Sequence, residues 1–370
     1  MLTLAWSSIG VIINIIMYAV MMLLMIPYYF KPDTDNKSRN VIIFTIFFLF
    51  CLFPLYSPDT FAYYTYYLSI KEGNNFGVPL EQIYFDIISG TDSFLLFRLI
   101  VWGGTCACVW ITLKSLKIRV GAFLLFFIGL FILKYSYARA FLSFALVFLG
   151  MALFYMGKRT LMSKIIGLCI IISASIFHKS ALFGVSIALL TILIPTLNKN
   201  IVKLLLVIYP LLIILAEILI SIFFDIGFEE GDLAQNAAQY YLKADTRELG
   251  IGKMIENILT RYSFYAAAYL YIAMVFKGSF NQLPLKIRKF ATAGFLIVYL
   301  SSIFIFNLGY NTQVYYYRLL HFSIIPISVF LGYLYQIRYR FGFVKTTWKI
   351  GFVGCLYSFL YTLYNSFLVN

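Results

Sequence analysis

The sequence predicts an all-α, polytopic integral membrane protein of about twelve transmembrane helices, within a range of roughly ten to thirteen. Three observations lead there. Of 370 residues, 62% are hydrophobic, about 229 in all, and a spanning helix consumes about 20, so the apolar stock suffices for roughly eleven spans. Charged residues make up 12%, about half the share usual in soluble proteins. The mean hydropathy is +0.89. These values exclude a water-soluble globular fold. Twelve spans leave about 130 residues for connections, too few for a separate soluble catalytic domain, so residues 1–370 read as a single transmembrane domain.

The first apolar stretch, about 4–29, follows an uncharged start, Met1 to Trp6. A secretory leader needs basic residues there, so the stretch reads as a span. The second and third are expected at 41–55 and 93–113. The fourth, 120–133, and the sixth, 165–177, are only about fourteen and thirteen residues long. Their shortness predicts broken or partly submerged helices around 134–139 and 178–180, where protein or a watery cavity must surround the irregular backbone. The fifth lies at 140–156 and the seventh at 180–195. The eighth, 204–224, contains Glu217, a carboxylate too costly to leave unpaired at that depth, and so protonated, matched with an Arg, or part of an ion path. The last four fall at 257–276, 290–307, 318–335 and 350–367.

Charge orients these stretches. The connections 31–40, 114–119, 157–164, 196–203, 277–289 and 336–349 carry nineteen Lys and Arg against Asp33 and Asp35. They belong on the cytoplasmic side, which puts both termini outside. The net charge of +14 is therefore mostly orientation signal and inner-leaflet contact, and no nucleic-acid partner is expected. Two outer connections are long, 56–92 and the acidic 225–256, and short interfacial helices are expected in them. The five cysteines all fall within apolar stretches and act as small apolar residues. No phosphate-binding Gly loop, nucleophile elbow or zinc-binding His pair occurs, so neither metal nor cofactor is expected.

Chemistry concentrates near the outer ends of the spans. His178 and His321, the two histidines, lie there with Arg98, Arg139, Arg261 and Arg318, and with Lys134 and Lys179 close by. Ionisable groups within spans usually face a cavity, and arginine grips phosphate oxygens two at a time, which suits a lipid-linked diphosphate. Snorkelling to the interface is the competing reading for each arginine. Ser57-Pro58-Asp59-Thr60 reads as a helix start, placing Asp59 in the first turn and Tyr63 and Tyr66 or Tyr67 on its face. A carboxylate beside aromatic rings suits a sugar, although acids favour helix starts and Tyr favours membrane interfaces in any case. In Tyr317-Arg318-Leu319-Leu320-His321 the Arg and His share one helical face, which could line a pocket. His321 alone fits equally well as a packed core histidine.

At these residues the sequence resembles the Wzy/EpsG-like O-antigen and exopolysaccharide polymerases. Four patches carry the likeness: Ser57-Pro58-Asp59 with Tyr63, Tyr64 and Tyr67; Pro79-Leu80-Glu81-Gln82-Ile83-Tyr84; Ala138-Arg139-Ala140-Phe141-Leu142; and Phe177-His178-Lys179-Ser180-Ala181-Leu182. Tyr317-Arg318 is a weaker fifth. One departure is Ala140, where the family often has Gln after the helix-leading Arg.

The resemblance implies a membrane glycosyltransferase of GT-C-like architecture in the bacterial inner membrane, its active site facing the periplasm. It implies transfer of a growing glycan from undecaprenyl diphosphate to a lipid-linked repeat unit. Donor and acceptor oligosaccharides, membrane lipids and a chain-length regulator are the implied partners. Arg139 and Arg318 are expected to hold the diphosphate with Arg98 assisting, and His178 or Asp59 to take the acceptor proton, His178 being favoured. Tyr63, Tyr67, Glu81, Lys179, Tyr317 and His321 are the expected substrate contacts. Rival readings are a flippase or other transporter, an O-antigen ligase, and a membrane acyltransferase. A flippase should show related halves and polar groups at the midplane, and apart from Glu217 the chain shows neither clearly.

Overall fold

The computed structural model describes residues 8–30, 36–52, 67–73, 90–131, 138–155, 161–178, 181–194, 196–225, 261–306, 319–338 and 349–354, with 64, 86, 87, 258, 356, 357 and 360. Among them every regular element is helical. The longer helices are α1 (Ser8–Phe30), α2 (Lys37–Leu52), α3 (Phe94–Leu116), α4 (Val120–Phe131), α5 (Ala138–Phe154), α6 (Leu161–Ser173), α7 (Ala181–Leu193), α8 (Lys199–Asp225), α9 (Tyr262–Phe276), α10 (Leu285–Ser302) and α11 (Ile324–Gln336). Each of the twelve apolar stretches is mostly helical where it is described, with a turn at 322–323 interrupting the eleventh. Two runs, Phe94–Leu116 and Leu319–Gln336, are by length and composition long and apolar enough to cross a bilayer.

Helix boundaries depart from the sequence expectation chiefly where helices run on into the basic connections, while α5 and α7 end short of them at Phe154 and Leu193. α2 starts at Lys37, with Asn36 Oδ1 accepting from the Ser38 N–H at 2.9 Å. α8 starts at Lys199, where Asn198 Oδ1 accepts from the Ile201 N–H at 2.9 Å. α10 takes in Lys286, Arg288 and Lys289. Asn caps and lysine-tolerant first turns make this cheap. At the other end of α3, Lys114 is in the last turn and Lys117 closes the helix in the left-handed region at φ 58°. A lone residue can hold that conformation at a helix C-cap, and cations are favoured there. The break expected at 178–180 begins earlier, since α6 ends at Ser173, a 3-10 turn spans Ala174–Ile176, and α7 begins at Ala181.

The core is built around α4, α5, α10 and α11. Residues 121–130 of α4 are all buried, as is nearly every residue of α10 and α11. α5 packs most extensively on α6 and α3, and α11 on α4 and α10. The α5–α6 crossing is backbone against backbone. A Cβ on Gly150 would lie 2.5 Å from Gly167 O, and one on Gly167 would lie 2.7 Å from Gly150 O. The outer surface is apolar, with Leu193 at 81%, Val207 at 75%, Leu161 at 73% and Ile214 at 70% exposure.

Described residues in or beside the basic connections meet at one pole, as their contacts record. Lys286 Nζ donates to Ser115 O at 2.9 Å, and Lys289 Nζ to Thr191 O at 2.6 Å and Ile194 O at 2.5 Å. The Arg119 N–H donates to Gln336 Oε1 at 3.1 Å, and Lys199 Nζ stands 5.5 Å from the Phe276 ring. Lys289 also faces the Tyr155 ring at 5.9 Å, and the Tyr335 hydroxyl reaches Tyr28 O beside Asn40. Several of these cations cap helix C-termini, where backbone carbonyls are left over and the dipole is negative. Other contacts cross levels: the Tyr262 hydroxyl donates to Ile350 O at 3.0 Å, and a Cβ on Gly354 would lie 2.8 Å from Ser263 Oγ, so the described start of the last helix lies beside the start of α9, away from that pole.

Candidate functional site

At the opposite pole, three segments bearing sequence-predicted site residues meet around Phe322. Its ring is fully buried, packed against Phe144 of α5 and 6.1 Å from Phe183 of α7. A Cβ on Gly184 would lie 2.6 Å from that ring, so the missing side chain lets α7 seat against it. Arg139 is the second residue of α5, about 7.5 Å along the axis from Phe144. His178, half-buried, ends the irregular link into α7, and its carbonyl accepts the Ala181 N–H at 2.9 Å. His321 directly precedes Phe322 and is 3% exposed. That burial favours packing over an open pocket wall for His321. The backbones carrying Arg139, His178 and His321 thus converge, held by an aromatic hub that the sequence reading did not single out.

Arg98 and Tyr67 form an adjoining cluster with structural occupations. Arg98 is 3% exposed, its Nε donates to Leu52 O at 3.0 Å, and its Nη2 donates to Cys51 O. The guanidinium therefore caps the C-terminus of α2, whose last carbonyls have no partner within the helix. It also lies 5.9 Å from the Phe94 ring. The buried Tyr67 donates to Thr91 O at 2.9 Å and packs edge-on against Phe94 at 5.6 Å, tying the 56–92 connection to the start of α3. Trp102, one turn beyond Arg98, stacks on Phe141, two residues beyond Arg139, at 6.3 Å. α3 and α5 therefore present Arg98 and Arg139 at the same level.

Arg98→Met is expected to lower folding stability by about 2–3 kcal/mol, because two buried carbonyls lose a charged donor. Arg98→Lys should recover only part, since an ammonium lacks the planar fork. Thermal unfolding of the detergent-purified chain reads both; an unchanged midpoint in Arg98→Met would remove the capping role.

Asp59, Tyr63, Glu81, Lys179, Tyr317 and Arg318 lie outside the described residues, as do the side chains of Arg139 and Glu217 and most of the 225–256 connection. Among the described residues, no three His, Cys, Asp or Glu side chains come together as a metal site would need. Two voids there are apolar, one between Phe44, Trp102 and Phe127, the other between Tyr271, Gly294 and Phe330. Neither is lined by the arginines or histidines.

No protein-family model matches the chain, and neither a curated protein nor a solved structure is significantly similar to it.

Proposed function

We propose that the chain is an inner-membrane glycosyltransferase of about twelve spans that lengthens a lipid-linked glycan at the pole opposite its basic connections. The observation that carries this reading is the convergence, at that pole, of the segments bearing Arg139, His178 and His321 around Phe322. Membrane embedding is supported by the apolar outer surface, far larger than a soluble monomer tolerates. Orientation is supported by the meeting of described parts of the basic connections, which fits cytoplasmic placement of that pole and periplasmic placement of the other.

The reaction needs three things from the protein. A donor diphosphate must be held while its bond to the glycan breaks, an acceptor hydroxyl must lose its proton, and the leaving diphosphate must be stabilised. Arg139 and Arg318 supply permanent charge and paired donors for the diphosphate. His178, in the irregular link, takes the acceptor proton, with Asp59 as the alternative base. The sugar–diphosphate bond provides the driving force. Neutralisation by arginines is the whole of the electrostatic catalysis in this reading. Arg98, committed to the end of α2, positions the pole.

Deleting the gene and resolving surface glycan by size tests the function. Single capped repeats are expected. Complete loss of surface glycan would favour flipping or ligation, and normal lengths with altered decoration would favour acyl transfer; either outcome displaces the polymerase reading.

A further inference from the structure

The basic pole holds a cluster that orientation alone does not explain. Lys286 Nζ donates to Ser115 O at 2.9 Å, so the start of α10 brings its ammonium to the end of α3, near Lys117 and in the same turn as Lys114. Both of those lysines are exposed. Lys117 holds its place at φ 58°, the one non-glycine residue with positive φ among those described. Burial and the neighbouring Lys117 hold Lys286 below the ordinary lysine range. Crowded cations normally recruit a carboxylate. The acids with described side chains, Glu72, Asp86 and Asp92, all lie on the 56–92 connection toward the other pole.

The surface beneath the cluster is apolar and open. Leu96, Ile100, Trp110 and Ile111 are 40–44% exposed along α3. Trp110 and Ile111 precede Lys114 by four and three residues, so they share its face, with the lysine at the polar end. An anion with a hydrocarbon chain matches both parts. A free anion matches only the first.

We propose that the end of α3 and the start of α10 form a binding site for an anionic phospholipid, its phosphate held by Lys114, Lys117 and Lys286 and its acyl chain lying along Trp110 and Ile111. Lys286 has a double duty, offsetting the Ser115 carbonyl that would otherwise repel the phosphate. The inference rests on membrane embedding and not on the glycosyltransferase reading.

The test uses the full-length chain in mild detergent and measures lipid binding by native mass spectrometry. The probes are phosphatidylglycerol, phosphatidylcholine of the same acyl chains, and inorganic phosphate. Phosphatidylglycerol is expected to bind at least about tenfold tighter than phosphatidylcholine. The double variant Lys114→Gln with Lys117→Asn should lose roughly tenfold to thirtyfold of that affinity, Asn being tolerated in the left-handed conformation. Lys114→Gln alone, on an exposed helical position, should lose a smaller part and guards against a misfolded double variant. Equal binding of the two lipids, or undiminished binding by Lys114→Gln and the double variant, overturns the site. Inorganic phosphate displacing phosphatidylglycerol at millimolar concentration would make it a free-anion site and overturn the lipid assignment. Failure of membrane embedding looks different, because the chain would then stay soluble without detergent.

Discussion

Gly167→Leu is expected to abolish accumulation of folded protein, and Gly167→Ala to lower stability by about 1–3 kcal/mol. The cause is the α5–α6 crossing, where a Cβ at residue 167 would stand 2.7 Å from Gly150 O and 2.9 Å from Phe154 N. Those neighbours are backbone, so no side chain can swing away and the helices must separate. Between membrane helices such contact is a main source of association, since lipid chains are as apolar as the partner helix. Gly103→Ala is the matched control: nothing lies within 4 Å of its added Cβ, and alanine is the better helix former. Its unfolding midpoint should hold or rise. The crossing also bears on function, because α6 leads through the 3-10 turn to His178 while α5 carries Arg139 in its first turn. Folded Gly167→Ala protein should therefore lose glycan-lengthening activity more than it loses stability. Full activity with unchanged stability would show that the two helices do not need to touch.

His178→Ala and Arg139→Ala are each expected to leave folded protein that makes single capped repeats. The expected fall in chain lengthening is about 10²- to 10⁴-fold for the histidine, as for loss of a general base. For the arginine it is about 10²- to 10³-fold, as for loss of one anion-stabilising donor. Both residues sit at helix boundaries, His178 half-buried before α7 and Arg139 at the second position of α5. Surface glycan from complemented deletion strains, run beside equal amounts of the variant proteins, gives the answer. Full-length glycan in either variant removes that residue from the mechanism.

The all-helical class is legible in the sequence because long apolar runs form helices wherever backbone groups cannot reach water. Each of the twelve stretches is mostly helical where described, and described parts of several basic connections meet at one end. Helix ends were less legible. Ending each run at its first charge ignores that Asn36 and Asn198 cap helices beginning with lysine, and that Lys114 remains inside α3. The candidate site was legible by residue type and depth, not by contact. Nothing in the spacing of Arg98 announces that it donates to carbonyls of α2 some forty-six residues earlier. Phe322 likewise resembles many other phenylalanines until Gly184 and Phe144 are seen against it. A glycine within an apolar helix, such as Gly150, Gly167 or Gly184, was the available signal for close approach, and it points to a crossing without naming the partner.

The most direct measurement is reconstitution. The purified chain, placed in liposomes with the lipid-linked repeats that accumulate in the deletion strain and with no added nucleotide or divalent metal, should convert a single glycan band into a ladder, while His178→Ala protein leaves it single. If the parent protein leaves the band unchanged, or moves it across the bilayer without lengthening it, the pole around Phe322 is not a glycosyl-transfer site.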